Sequence, residues 1–207
     1  MFTKSKGTMV TTRETKRAEL RERLIDAAEN ELQNKGLSGL KARDVTARAG
    51  CALGALYNAV EDLDMLVLEV NARTLANLGA ALKAALPGPD ASPVDSLQAL
   101  ASTYIDFAIE NRRLWLALFE HRLPEDRAVP ERHRQSHAVL IDGIAAPLAQ
   151  LRPDLAQEAL SLRARTVFAA VHGVVHLSLQ GQFVGVPLPD LKAEVRALVE
   201  IMARRAA

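Results

Sequence analysis

The sequence predicts an all-α protein, and three observations predict it: composition, apolar spacing and the placement of breaks. Hydrophobic residues make up 49% of the 207 residues and aromatic residues only 4%, with alanine and leucine dominant, which favours helices. Apolar residues recur three and four positions apart, as on one face of a helix. Glycine and proline fall between these stretches, where helices end. We expect about nine helices, in a three-helix domain over 13–60 and a larger helical domain over 61–207.

Each predicted helix follows from an apolar stripe and from the residues that bound it. Gly36 and Gly50 end the first two helices, because glycine adopts the left-handed C-cap conformation without strain. Asp62 is a good N-cap for the fourth helix, and Pro147 is tolerated or produces a kink in the seventh. The predicted helices are 13–35, 42–49, 53–59, 62–85, 94–111, 112–121, 131–150, 154–181 and 189–204.

Charge is unevenly distributed although the net charge is only +1. Residues 1–48 hold eleven Lys/Arg against seven Asp/Glu, whereas 49–70 hold four acids and no base. Any basic surface therefore belongs to the first two helices and to residues 1–12, which we interpret as a disordered tail or, alternatively, as a basic arm.

The cysteine content and the length of the apolar runs predict the cellular location of the protein. Cys51 is the single cysteine, which excludes an internal disulfide and fits a reducing cytoplasm. No signal peptide is visible, and no apolar run approaches the roughly 20 residues needed to span a bilayer. We therefore expect a cytoplasmic protein with no membrane partner.

Residues 37–60 organise the first domain. Val45 and Ala49 lie four apart and share one helical face, Gly50 follows at the turn, and a second short helix buries Leu56 and Val60. This spacing is typical of a helix-turn-helix, in which one helix braces and the second lies in the DNA major groove.

Three short motifs follow one another here: Asp44-Val45-Thr46-Ala47-Arg48-Ala49-Gly50, then Gly54-Ala55-Leu56-Tyr57, then Asp62 and Leu66. Over about 20–75 the chain resembles the DNA-binding domain of TetR-type transcriptional regulators. The resemblance implies an all-helical, dimeric protein with a ligand-binding domain behind the DNA-binding one. Phe168-Ala169-Ala170-Val171-His172-Gly173 and the region 112–120 also resemble one class of TetR C-terminal domain, marked by a Trp…His-Gly signature.

The resemblance also shows which polar DNA contacts are missing. The family places polar residues where this chain has Ala52, Ala55, Ala59 and Leu63. Asn58 can bond an adenine edge, and Arg48 can instead pair with Asp44 on the same helix. The candidate DNA-binding residues are Lys41, Arg43, Arg48, Ala52, Leu53, Ala55, Tyr57 and Asn58. The alternative is a helix-turn-helix that keeps its shape and no longer binds DNA.

A ligand site needs apolar walls with few polar groups. The candidates are Tyr104, Phe107, Trp115, Phe119, His121, Phe168, His172 and His176. An aromatic residue at helical spacing is more often core, but Tyr104, His121 and His172 are suited to orient a ligand if they converge. Such a ligand would be small to medium and mostly apolar.

Metal and enzyme chemistry have little support. His133 and His137, like His172 and His176, have the spacing that zinc sites use, but no His-Glu-x-x-His motif or cysteine partner accompanies them. We expect surface histidines for the first pair and pocket or interface histidines for the second. With no phosphate loop, nucleophile elbow or paired-carboxylate motif, we predict no catalytic residue, metal or cofactor.

The function predicted from these features is that of a ligand-responsive regulator of transcription. It would act as a homodimer through its two C-terminal helices, bind a pseudo-palindromic operator in double-stranded DNA, and be a repressor released by a small apolar effector. The alternative is a helical small-molecule-binding or interaction protein.

Overall fold

The computed structural model describes residues 12–88, 90–181 and 183–203. Within those ranges the regular structure consists of ten α-helices and a short 3₁₀ turn, which confirms the all-α fold. The tail or arm predicted over 1–12 lies, except for Thr12, outside the described residues. None of the described helices is long and apolar enough to cross a membrane.

The helices up to the first proline-rich loop are α1 (Thr12–Lys35), α2 (Ala42–Arg48), α3 (Leu53–Ala59) and α4 (Leu63–Ala85), with the 3₁₀ turn Leu37–Gly39 between α1 and α2. The later helices are α5 (Pro93–Glu110), α6 (Arg112–Glu120), α7 (Glu131–Ser136), α8 (Val139–Leu151), α9 (Gln157–Leu179) and α10 (Leu188–Ala203). The chain divides into two compact units after Asn71, so α4 begins in the first and ends in the second.

The first unit packs α1, α2 and α3 against one another. Leu24, Leu32, Val45 and Leu56 are completely buried between them, because the apolar stripe of each helix faces the other two. Gly36 and Gly50 have positive φ values of 71° and 67°, which only glycine adopts without strain. Gly36 has a ψ of 179°, so its backbone is extended and not in the left-handed helical conformation predicted for it.

The predicted cap of α4 is also present. The Asp62 carboxylate oxygen Oδ1 accepts a hydrogen bond from the backbone N–H of Met65 at 2.8 Å, which satisfies one of the donors left unpaired at a helix start. A second cap, at the start of α5, has Ser92 and Asp95 bonding each other's backbone N–H groups reciprocally.

The second unit buries one large core among α5, α6, α8, α9 and α10, with the C-terminal part of α4. Trp115 is completely buried, and Tyr104 and Ile105 nearly so. The helix pairs α8–α9 and α5–α10 make the most extensive contacts. These pairs form the scaffold on which the candidate ligand residues lie.

The single helix predicted over 131–150 is wrong, because the chain forms α7 and α8 with a break at His137 and Ala138. At the break, His137 Nδ1 is bonded to the backbone carbonyl of His133 at 2.9 Å. That side chain competes with the backbone for the carbonyl, as polar side chains do near helix ends. Pro147 lies inside α8 without ending it.

Candidate functional sites

The first candidate site is the exposed face of α3. Leu56 and Ala59 anchor the helix in the core of the first unit, whereas Leu53 and Tyr57 are 39% and 54% exposed and Asn58 is also exposed. The turn at Gly50 sets the direction in which α3 leaves α2. The result is a short helix with one face fixed and the other open to solvent, as a helix that enters a DNA groove requires.

The predicted DNA-binding residues on and around α3 occupy different environments. Ala52 is exposed and Ala55 is partly buried, so both positions border the open face but contribute only a methyl group. Ala59 is buried, so a polar residue there would point into the core. Lys41 and Arg43, at the start of α2, are exposed and supply positive charge beside the helix.

Arg48 is held by an ion pair, and its partner is not the one predicted. Its Nε donates to Glu31 of α1 at 2.7 Å, whereas Asp44 accepts from Lys35 at 2.7 Å. The alternative Arg48–Asp44 pair is therefore wrong, because the fold brings closer partners from α1. The Arg48 side chain remains 46% exposed, so its guanidinium is oriented by Glu31 while still facing solvent.

Glu31 is the centre of this charged network. Its side chain is only 4% exposed and also pairs with Lys35 at 2.7 Å. Hydrogen bonds from Lys35 and Arg48 hold the pKa of Glu31 below its usual value, and a hydrogen bond from Lys35 lowers the pKa of Asp44. The network connects α1 to α2 and so holds α2 in place, and α3 packs against both of these helices.

The second candidate site is a cluster of six rings in the second unit. Tyr104 of α5, Trp115 and Phe119 of α6, and Phe168, His172 and His176 of α9 are linked by ring contacts, with centroids 4.3 to 6.4 Å apart. Edge-on and tilted geometries of this kind are favourable for aromatic pairs. Six of the eight predicted ligand residues therefore lie together.

Tyr104 and His172, two of the three polar residues predicted to converge, form a direct hydrogen bond. The Tyr104 hydroxyl lies 2.8 Å from His172 Nδ1. Burial, together with the nearby His176, lowers the pKa of His172 to about 4, so the imidazole is neutral at neutral pH. Burial also raises the pKa of Tyr104, so its hydroxyl stays protonated.

An apolar cleft adjoins this ring cluster. Its cavity volume is about 40 Å³, well below the roughly 150 Å³ of a cavity that holds benzene. Tyr104 and Phe168 belong both to the cluster and to the cleft wall. The rest of the wall consists of Leu82, Leu97, Leu100, Ala101, Val139, Leu140, Gly143, Ile144, Val167, Val171 and Val199.

Sequence reasoning missed these aliphatic wall residues, since an aliphatic residue beside a cleft and one in a solid core have the same helical spacing. The other predicted ligand residues lie off the wall. Trp115, Phe119, His172 and His176 are in the ring cluster, Phe107 packs partly buried against the main core, and His121 caps the C-terminal end of α6.

The histidine pairs have distinct environments. His133 is 3% exposed and is the buried residue of α7, so the expectation that it lies on the surface is wrong. His137 is exposed as expected. In the described ranges, no group of three His, Cys, Asp or Glu side chains is placed to hold a metal ion.

A helix-turn-helix unit followed by a larger helical unit with an apolar cleft defines a class of one-chain regulators. Residues 97–202 match the family described as "Tetracyclin repressor-like, C-terminal domain", a span of over half the chain. The chain belongs to the TetR family, whose members are transcriptional regulators and not enzymes. No curated protein matches it in sequence.

Solved structures show the same fold. A TetR transcriptional regulator from Rhodococcus sp. RHA1 is 18% identical, with a TM-score of 0.63 over 90% of this chain and 97% of that one. RolR, in complex with resorcinol, is 19% identical, with a TM-score of 0.64 over 93% and 96%. The multidrug binding protein EbrR, complexed with imidazole, is 23% identical, with a TM-score of 0.61 over 90% and 96%.

Proposed function

We propose that this chain is a homodimeric transcriptional repressor that binds a pseudo-palindromic operator and releases it when a small, mostly apolar effector binds. The observation that carries the proposal is the orientation of α3, which has one face buried and the other exposed. Leu56 and Ala59 fix one face in the core, and Leu53, Tyr57 and Asn58 face solvent. Asn58 is the side chain on this face best suited to a base edge.

Three cations beside α3 support binding to the DNA backbone. Lys41 and Arg43 are exposed, and Arg48 is oriented by Glu31 while remaining half exposed. Phosphate contacts position a protein on DNA, whereas base contacts specify the sequence. With few cations available, the affinity should depend only shallowly on salt, since each neutralised phosphate contributes a slope of about 0.9.

Exposed apolar residues on the two C-terminal helices support the homodimer. Leu162 of α9 and Ile201 of α10 are each 67% exposed, and Leu177 of α9 is 39% exposed. Large apolar side chains gain free energy when association removes them from water. A second copy packing its own α9 and α10 here would bury them in a four-helix interface.

The apolar cleft supports the effector part of the proposal. Its mainly aliphatic wall, with Tyr104 as the one polar side chain among the described lining residues, is typical of a small-molecule site, and two proteins of the same fold, RolR and EbrR, are described in complex with resorcinol and imidazole. The wall includes Leu82 near the end of α4. An effector regulates only if it binds the two states of the dimer with different affinity.

The test is an unbiased operator selection with the full-length chain at low salt. We expect an enriched inverted repeat. Lys41→Ala and Arg43→Ala should each weaken binding to many sequences alike and reduce the salt slope by about 1, whereas Asn58→Ala should alter sequence preference. Lys83→Ala, which removes an exposed cation at the end of α4, is the matched control and should change neither.

A second candidate function is that of a helical ligand-binding protein whose first unit is structural only. The alanine side chains at positions 52 and 55 favour it, because they leave the open face of α3 with few polar groups. A folded dimer that enriches no DNA sequence, together with unchanged non-specific binding in Lys41→Ala and Arg43→Ala, would establish this alternative and refute the repressor.

A further inference from the structure

The open face of α3, defined by the exposed residues 52–54, 57 and 58, is mainly apolar. Leu53 is 39% exposed, Ala52 is exposed, and Ala55 borders the face. A leucine side chain in solvent gains free energy when a partner removes it from water. In the DNA major groove, the apolar group that a base edge presents is the C5-methyl group of thymine. The apolar part of this face therefore complements thymine better than it complements any other base.

The polar groups of α3 favour the same base pair. Guanine is most often bonded by Arg or Lys and cytosine by Asp or Glu, and the seven residues of α3 include none of these four types. The polar side chains of α3 are those of Tyr57 and Asn58. The Asn58 amide can donate to N7 of adenine and accept from its N6 amino group, whereas the Tyr57 hydroxyl both donates and accepts at one atom and so discriminates less between bases.

Gly54 allows the backbone of α3 to come close to the bases. Leu53 and Tyr57 lie four positions apart, as do Gly54 and Asn58, so the two pairs form adjacent strips on one side of the helix. A Cβ added at Gly54 would meet no neighbouring atom within 4 Å, so the backbone is uncovered there and open to close approach by a ligand. Close approach is needed, because alanine, leucine and asparagine side chains are short and reach base edges only from a helix that lies deep in the groove.

We propose that α3 reads a half-site rich in A·T pairs, in which thymine methyl groups pack against Leu53 and the neighbouring alanines while Asn58 bonds one adenine. The inference rests on the proposed function of the first unit in DNA binding, and it names the base composition that this unit selects. Lys41 and Arg43 lie at the start of α2 and not on α3, so they position the protein on phosphates and leave the choice of base to α3.

Replacement of thymine by uracil tests the proposal, because it removes the C5-methyl group and leaves base pairing unchanged. The probe is the duplex that the full-length chain selects from a random-sequence library, in which we expect A·T pairs to predominate in each half-site. Uracil is then placed at one thymine position of both half-sites at a time, and the dissociation constants are compared. At the positions that α3 contacts, each methyl group removed should weaken binding about fourfold, as expected for one buried apolar carbon.

Three variants locate the effect. Leu53→Ala should remove most of the uracil penalty at one thymine position. Leu86→Ala, the same change at a leucine that is 42% exposed in the second unit, is the matched control and should leave every penalty unchanged. Lys41→Ala should weaken binding to the thymine and uracil duplexes by the same factor. Far-UV dichroism checks that the variants are folded, and the uracil penalty in the unaltered protein tests the proposal independently of them.

The possible outcomes separate this inference from the proposed function. An enriched inverted repeat whose half-sites are mainly G·C, or uracil duplexes bound as tightly as thymine duplexes, would overturn the reading of thymine and leave DNA binding in place. A uracil penalty that is undiminished in Leu53→Ala would overturn the contact assigned to that side chain. The enrichment of no DNA sequence by the folded chain would overturn both the inference and the proposed function.

Discussion

The two units use polar side chains in opposite ways. In the first unit, ionised groups connect α1 to α2 through Glu31, Arg48, Lys35 and Asp44. In the second unit, the polar atoms beside the cleft belong to neutral groups, with Tyr104 protonated and His172 uncharged. The cations that neutralise Glu31 are close to half exposed and keep part of their hydration, whereas a charge beside an apolar cleft would lose its hydration. The difference fits the functions proposed for the two units, DNA binding for the first and binding of a small apolar effector for the second.

Of the variants considered, truncation of the residue at the centre of the ring cluster should destabilise the second unit most. Trp115→Ala removes a completely buried side chain, and we expect the free energy of unfolding to fall by about 3–5 kcal/mol, measured by urea denaturation followed by far-UV dichroism. Val129→Ala, at a 38% exposed loop position, should stay within about 0.5 kcal/mol. A loss below about 1 kcal/mol in Trp115→Ala would show that the cluster collapses to fill the cavity.

A glycine pair compares the packing of the two units directly. A Cβ added at Gly79 of α4 would lie 2.7 Å from Val139 Cγ2 in the cleft wall, whereas one added at Gly54 of α3 would meet no atom within 4 Å. Valine is stiff at χ1, so Gly79→Ala should destabilise by about 1–3 kcal/mol. Gly54→Ala should stabilise by about 0.5–1 kcal/mol, as expected inside a helix.

Denaturation midpoints of both glycine variants test this comparison, and the double variant Gly79→Ala/Val139→Ala should recover part of the loss. Equal effects at the two positions would mean that α4 shifts freely away from α8. That result would remove the close approach as a constraint on the cleft.

The pH dependence of stability should fall into two windows, one from each unit. The pKa of His172 is about 4 in the folded protein, against an ordinary value of 6.5. As pH falls from about 6.5 to 4, His172 therefore becomes protonated in the unfolded chain but stays neutral in the folded chain. Stability is lost in that window. The pKa of Glu31 lies below its ordinary 4.5, so its contribution is present above about pH 4.5 and lost below it.

Urea midpoints measured at intervals from pH 7.5 to 3 check both windows. His172→Gln should flatten the upper window only, and Glu31→Gln should flatten the lower window only. A slope in the upper window that His172→Gln leaves unchanged would mean that another group titrates there.

Apart from the control Val129→Ala, the smallest effect on stability is expected for Glu31→Gln at neutral pH. Both of its cationic partners are close to half exposed, so the pairs are partly screened. The melting temperature should fall by less than in Gly79→Ala. In the operator assay the same variant should weaken binding more than Lys83→Ala does, because Arg48 loses its orientation; equal binding would remove Arg48 from the proposed contacts.

The positions of most helices and of several helix ends could be predicted from the sequence. Apolar stripes predicted nearly every helix, and Gly36, Gly50 and Asp62 end or begin helices as expected, because such signals act over a few residues. The break at His137 was missed because a side chain competes there for a backbone carbonyl. The Arg48–Glu31 pair joins residues 17 positions apart, and helical spacing reports only neighbours three or four apart.

The candidate sites were predicted less completely. The pattern of aromatic and histidine residues indicated the region of the ring cluster, since those residue types are few in this chain. The cleft wall was not predictable, because whether facing aliphatic side chains meet or leave a space depends on how α4, α5, α8, α9 and α10 are placed. His133 was expected on the surface, whereas the fold buries it.

The contact between Tyr104 and Trp115 has an optical consequence. Their rings are 6.0 Å apart at an interplanar angle of 65°, and rings fixed in an asymmetric setting give strong near-ultraviolet circular dichroism, which is lost when tertiary packing is lost. In the described part of the first unit the one aromatic ring is that of Tyr57, which is exposed. The near-ultraviolet spectrum should therefore report the packing of the second unit almost alone, while the far-ultraviolet spectrum reports the helices of both.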